Sequence, residues 1–226
     1  MLDKQGLRHP APIVAILLAA LILVTGCIPG ARNRVQPGSL LYNLPTTITI
    51  SRGETLPGTS VRYDGMDDRG ARVIIDGQTA LKRRGDSLDW DGEPVPGVPV
   101  ELRMRVIWYT EDQLHLVGTG RIEVHDAQPR VGTISTSSPI SYSGPVAYSV
   151  DRGSRIPGTI ISYEGHSEEG VRIGGIEGYP YRRLGDSIFW EGRLRDGVYI
   201  RIDVRVVQYD DRALRVVGPV TLWLGS

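Results

Sequence analysis

The feature that most limits what this chain can fold into is that it says the same thing twice. Gly85-Asp86-Ser87-Leu88-Asp89-Trp90-Asp91-Gly92 returns as Gly185-Asp186-Ser187-Ile188-Phe189-Trp190-Glu191-Gly192, 100 residues later. The same offset carries Arg52-Gly53 onto Arg152-Gly153, Leu56-Pro57-Gly58-Thr59 onto Ile156-Pro157-Gly158-Thr159, and Val117-Gly118 onto Val217-Gly218. No gap is needed, and about three residues in ten are identical between the copies. A gapless duplication means one supersecondary design built twice. What recurs is Gly, Pro, Tyr, Trp and apolar strand positions, the residues that set turns and fill cores. What drifts lies between them. Met66-Asp67-Asp68-Arg69 becomes His166-Ser167-Glu168-Glu169, and Asp76-Gly77-Gln78-Thr79 becomes Ile176-Glu177-Gly178-Tyr179.

The period of the repeated unit is two, not 3.6. Leu102, Met104 and Val106 alternate with Glu101, Arg103 and Arg105, and Ile200, Ile202, Val204 and Val206 alternate with Arg201, Asp203 and Arg205. Strict alternation marks a strand with one wet face. Val98 to Tyr109 and Leu114 to Val124, joined by Thr110-Glu111-Asp112-Gln113, read as a long hairpin. Shorter β-prone runs at 46–50, 71–75 and 81–90 lie between Gly- and Asp-rich turns. No helix-period stretch follows residue 30. The expected fold is all-β: two tandem antiparallel units, sandwich or small barrel-like, with roughly six or seven strands each. Repeat 1 is placed at 45–126, a linker at 127–144 and repeat 2 at 145–226, with Trp90 and Trp190 in the cores.

Ahead of the repeats stands an export signal. Lys4 and Arg8 form a basic start, Ile13 to Val24 is an uncharged apolar run, and Val24-Thr25-Gly26-Cys27 follows. A run of about a dozen apolar residues is short for a membrane-spanning helix, which needs roughly 20. The four residues ending in Cys27 resemble the lipobox of bacterial lipoproteins. That resemblance implies a signal peptide at 1–26, a diacylglyceryl group on the Cys27 thiol, and a lipidated N-terminus and spacer over 27–44. It also implies a lipid-anchored, extracytoplasmic protein of a bacterial cell envelope, whose first partner is the membrane. Cys27 is the chain's one cysteine, so no disulfide staples the rest.

The remaining motifs compete for chemistry. Gly85-Asp86-Ser87-Leu88, with Asp112 and His115 in a D-x-x-H pattern, resembles the catalytic motifs of GDSL-type esterases. In that family they sit in an α/β domain with an oxyanion-hole Asn, whereas here the asparagines are Asn33 and Asn43 and the second copy has Arg212 and Arg215 in place of acid and His. Asp86 and Ser87 therefore read as turn residues, and no catalytic residue is assigned. Asp64, Asp67 and Asp68, answered by Glu164, Glu168 and Glu169, offer oxygen ligands of the kind Ca²⁺ takes, without a known loop spacing. No metal ligand set and no cofactor motif is assigned. The formal net charge is zero, which points away from nucleic acid. Trp108, Trp223, Tyr179 and Tyr181 occur in one copy only and are the candidates for surface recognition, for example by stacking on a sugar ring. The expected role is a non-catalytic envelope lipoprotein whose β modules bind a polysaccharide or protein partner or serve as structure.

Overall fold

The computed structural model describes residues 38–134 and 138–225, and every regular element in them is a strand. The first repeat runs β1(Leu40–Ser51), β2(Arg62–Asp67), β3(Gly70–Ile75), β4(Gln78–Lys82), β5(Ser87–Val95), β6(Val98–Tyr109) and β7(Gln113–Val124). Its long strands form an antiparallel sheet in the order β1-β7-β6-β5, and β2-β3-β4 make a separate three-stranded meander. Alternation decides which side is wet. Val98, Val100, Leu102, Met104 and Val106 of β6 are buried, as are Leu114, Leu116, Ile122 and Val124 of β7. The meander adds Tyr63, Ala71 and Val73 to that core, and the Tyr63 hydroxyl donates to the Thr110 carbonyl at the tip of the β6–β7 hairpin.

The second repeat follows the same plan: β9(Ile140–Asp151), β10(Ser162–Ser167), β11(Gly170–Gly174), β12(Tyr181–Arg182), β13(Ser187–Arg195), β14(Val198–Tyr209) and β15(Ala213–Leu224). Pairing registers repeat at the offset of 100. Ser87 faces Arg105 and Ser187 faces Arg205, while the extra residue that bulges β6 between Val106 and Trp108 recurs between Val206 and Gln208. A two-residue strand from the linker, β8(Arg130–Val131), adds to the outer edge of β13, giving the order β8-β13-β14-β15-β9.

The repeats are not separate globules. Residues 38–134 and 138–225 belong to one compact unit, with a single core that draws on both copies. The contacts between the copies are reciprocal. A Cβ on Gly58 would meet Ile140, and one on Gly158 would meet Leu40, the residue 100 before Ile140. Gly97 lies against Arg195 and Gly197 against Val95. At the centre the exchange closes on itself: a Cβ on Gly144 would stand 3.3 Å from the Leu44 side chain. Contacts of the form i to j and j to i are the signature of a twofold. The two halves are thus an internal pseudo-dimer whose axis passes near Leu44 and Gly144. Glycine at 58, 144 and 158 lets the backbones come that close.

Two expectations change here, one about a boundary and one about burial. The first strand of each repeat starts at Leu40 and Ile140, not at Pro45 and Pro145. Proline lacks an N–H, so the sequence reads as a break. But β1 and β9 are edge strands, where the missing donor faces away from the ladder. Tyr42 and Tyr142, both buried at the matched offset, belong to these early segments. Secondly, Trp190 is buried while Trp90 is only half-buried. In both, the indole lies over a glycine two residues on, Gly92 or Gly192, where a Cβ would strike the ring. That is why a Trp-acid-Gly triplet recurs: the same-face neighbour of the indole must have no side chain.

Candidate functional site

The repeated Gly-Asp-Ser is a turn with a defined job. Gly85 and Gly185 have φ of 86° and 87°, the left-handed region that glycine enters without steric cost. Asp86 and Asp186 accept the Arg83 and Arg183 backbone N–H groups at 2.7 Å through Oδ2. Gly85 and Gly185 each donate to the carbonyl of Val106 or Val206 at 2.8 Å, and the guanidiniums of Arg105 and Arg205 cap the Gly85 and Gly185 carbonyls. The turn thereby pins the start of β5 to β6 and of β13 to β14. Ser87 opens β5 and faces Arg105, while His115 belongs to the next strand over and one pleat further along. Strand spacings put their Cα atoms about 12 Å apart. His115 is engaged locally: Nδ1 pairs with Thr49 Oγ1 at 3.1 Å, and its ring stacks on Trp108 at 4.9 Å and 26°.

The acidic loops are occupied by arginine. Asp64 approaches Arg72 at 3.7 Å, and Glu164 pairs with Arg172 at 3.1 Å. Asp67 accepts the Arg69 N–H, the contact that does most to hold its carboxyl below the usual range. Among the described residues no group of three or more His, Cys, Asp or Glu side chains is placed to hold a metal ion.

The four recognition candidates fall in three places. Trp108 is exposed and paired with His115. Trp223 requires a correction. It lies on the outer side of β15 opposite Tyr199 and Ser141, but only 8% of it is accessible, and the Arg201 guanidinium sits 5.3 Å over its ring. The sequence singles it out as an aromatic that the first repeat lacks; the burial and the cation over the indole leave little of its face for a ligand. Tyr179 and Tyr181 do come together, with ring centres 5.6 Å apart and planes tilted by 54°, and Tyr179 is 62% exposed.

This pair stands beside a hollow of about 190 Å³ lined by Arg152, Glu164, Gly165, His166, Ser167, Arg172 and Tyr181. A register shift in β10 between Tyr163 and Gly165 re-aims the residues that follow. Arg152 Nε donates to the Glu164 carbonyl at 3.0 Å, and its guanidinium meets no carboxylate within 4 Å among the described residues. His166 Nε2 lies 3.3 Å from Asp211, and its ring rests against Tyr209 at 5.4 Å. The β3–β4 hairpin of the first repeat has no such loop. There Ala80 pairs with Val73, whereas Pro180 cannot donate, so β12 shrinks to two residues and Ile173 bonds to the Pro180 carbonyl instead.

The first repeat keeps the charged residues, with Arg52 paired to Glu111 and Arg72 to Asp64, and has exposed Met66 and Leu81 at the positions of His166 and Tyr181. The second repeat has His166 and Tyr181 where the first has two apolar residues, beside a hairpin shortened at Pro180. His166, Arg152 and Arg172 were not picked out from the sequence. The signal was there, in the Met66/His166 and Leu81/Tyr181 exchanges, and it needed the fold to show that both positions line one hollow. Chemically the hollow offers a guanidinium with unused donors beside an exposed aromatic face, which suits a hydroxylated or carboxylated ligand better than an apolar one.

No family model, no curated protein and no solved structure matches this chain.

Proposed function

We propose that this is a lipid-anchored module of a bacterial cell envelope that binds rather than catalyses. Cys27 is the acylated residue, and the hollow of the second repeat with Tyr179 and Tyr181 is its ligand-facing site. The observation that carries the anchor is the Val24-Thr25-Gly26-Cys27 sequence after a short apolar run, which lies outside the described residues. Two or three acyl chains suffice for stable membrane attachment where one chain does not. Labelling cells with an acyl-chain analogue should mark the wild type and leave Cys27→Ala unmarked, and mass analysis of the mature protein should find Cys27 at its start. A free Cys27 thiol in an uncut chain would end the reading.

The ligand class supported best is an envelope polysaccharide carrying hydroxyl or carboxylate groups. The support is the tyrosine pair, with Tyr179 exposed and Tyr181 half-buried at the hollow that Arg152 also lines; the first repeat lacks both tyrosines. Affinity electrophoresis through gels containing acidic or neutral polysaccharide tests it: Tyr179→Ala with Tyr181→Leu should abolish any retardation, and Trp108→Ala should not. Equal retardation of both variants would remove the hollow from the account. The competing esterase reading is tested by a fluorophosphonate probe, for which the expected result is no covalent label on Ser87.

A further inference from the structure

The second repeat does not end its sheet at β13. Gly192 and Arg193 of that strand pair antiparallel with Val131 and Arg130 of β8, and the Leu194 carbonyl accepts the Gln128 N–H at 2.7 Å. Beneath this added strand Trp190 is 6% exposed. The matched strand of the first repeat, β5, has the same register against its neighbour and the same indole-over-glycine pair, yet among the described residues it is the last strand of its sheet. Among the described residues nothing pairs with Gly92 and Glu93, and Trp90 is half-buried. Pro94 stands where Leu194 does. Since only the carbonyl of Leu194 is used, that substitution leaves the edge competent.

The charge on this edge is selective. Asp89, Asp91 and Glu93 are all exposed and alternate along it, so they share the outer face. Asp91 is held by Arg103 and Glu93 by the Gly97 N–H, while Asp89 has no partner among the described residues. Such an edge repels its own copy, because an antiparallel β5–β5 pair would set acid against acid. We propose that the β5 edge is a strand-acceptor site for an extended basic segment of a partner protein. The partner carries Arg or Lys at alternate positions facing Asp89 to Glu93 and apolar residues between them to cover Trp90. The bonding pattern is the one β8 already makes on β13, and main-chain pairing supplies affinity while the alternate side chains supply selectivity. This site is separate from the hollow of the second repeat and does not depend on the anchor.

The test uses the full chain in detergent micelles and a blocked Arg-Val-Arg-Val-Arg-Val peptide, with amide hydrogen exchange read over residues 88–95. Saturating peptide should slow exchange at the β5 edge by about tenfold or more, a protection typical of new strand pairing. Asp89→Lys should weaken binding about fivefold through the reversed cross-strand pair. The Glu-Val counterpart should not bind. The same Arg-Val peptide N-methylated at alternate residues keeps its charge and loses its donors, so it should give no protection. Equal protection by the N-methylated peptide would reduce the effect to charge attraction and overturn the proposal. Protection that rises with protein concentration alone, with dimers in solution, would also overturn it, in favour of a second copy, and so would full protection without peptide that is lost when residues 28–34 are deleted, in favour of the chain's own spacer.

Discussion

Truncating Trp190 separates two contributions that the duplicated scaffold combines in one residue. A buried Trp removes about 150–250 Å² from water, which at about 25 cal/mol/Å² amounts to roughly 4–6 kcal/mol of transfer free energy. Measured Trp and Phe truncations in cores cost about 3–5 kcal/mol. At Trp190 a second quantity has the opposite sign. Its indole Nε1 is buried with no partner, and an orphaned donor costs about 1–3 kcal/mol. Removing the ring removes that penalty too. Trp190→Ala should therefore lose about 3 kcal/mol, near the low end of the range, and Trp190→Phe should stay within about 1 kcal/mol of wild type. Trp90 is only half-buried, so Trp90→Ala should cost less, about 2 kcal/mol. Urea unfolding of residues 35–226 measures all three as midpoint shifts at constant slope. If Trp190→Phe proved as damaging as Trp190→Ala, the indole N–H would have to be a used donor and the reasoning would fail. Equal costs at Trp90 and Trp190 would equally contradict the difference in cover over the two edges.

Other perturbations test separate parts of the fold. Gly218→Ala would put a Cβ 2.7 Å from Val204 Cα and against the Asp203 carbonyl, backbone that cannot swing aside, so a loss of about 1–3 kcal/mol is expected in thermal melts, and Gly118→Ala should match it. Asp186→Ala should cost about 1 kcal/mol by uncapping the Arg183 N–H, while Ser187→Ala leaves the melting temperature unchanged. Burial raises the phenols of Tyr42, Tyr142 and Tyr148, with Tyr142 reaching about 12. The unfolded chain loses those protons near pH 10 while the native state still holds them, so stability is flat below that pH and falls as pH rises from 10 toward 12. Alkaline urea titrations that stayed level to pH 12 would contradict the burial of these phenols.

The parts of the molecule legible in the sequence were those decided by local pattern. Val98 to Tyr109 alternates so regularly that β6 has the expected ends, and the all-β class follows from such runs and their turns. The first five residues of β1 and β9, ahead of Pro45 and Pro145, do not read as strand, because that these strands lie at sheet edges, where a missing donor is tolerated, is a tertiary fact. Trp223 shows the same limit on side chains. Its alternation along β15 fits the outer face, yet it is buried there with the Arg201 guanidinium over its ring, a contact between strands that no local pattern announces. The hollow was half legible: Tyr179 and Tyr181 stood out as unshared aromatics, but Arg152 and Arg172 looked like scaffold because both copies keep them. The partnership of the two repeats left no local pattern at all. It rests on pairs such as Gly58 with Ile140 and Gly158 with Leu40, separated by more than half of either repeat.

That partnership is the claim on which the fold account turns, and one measurement reaches it directly. Hydrogen exchange of residues 35–226 through a urea series reports the opening of β6 and of β14 in the same sample. Because Leu44, Gly144, Tyr42 and Tyr142 join both sheets to one core, the two strands should lose protection together, at one midpoint, and Trp190→Ala should shift both by the same amount. Separate midpoints, with Trp190→Ala moving β14 alone, would mean two independent domains and contradict the single interlocked core.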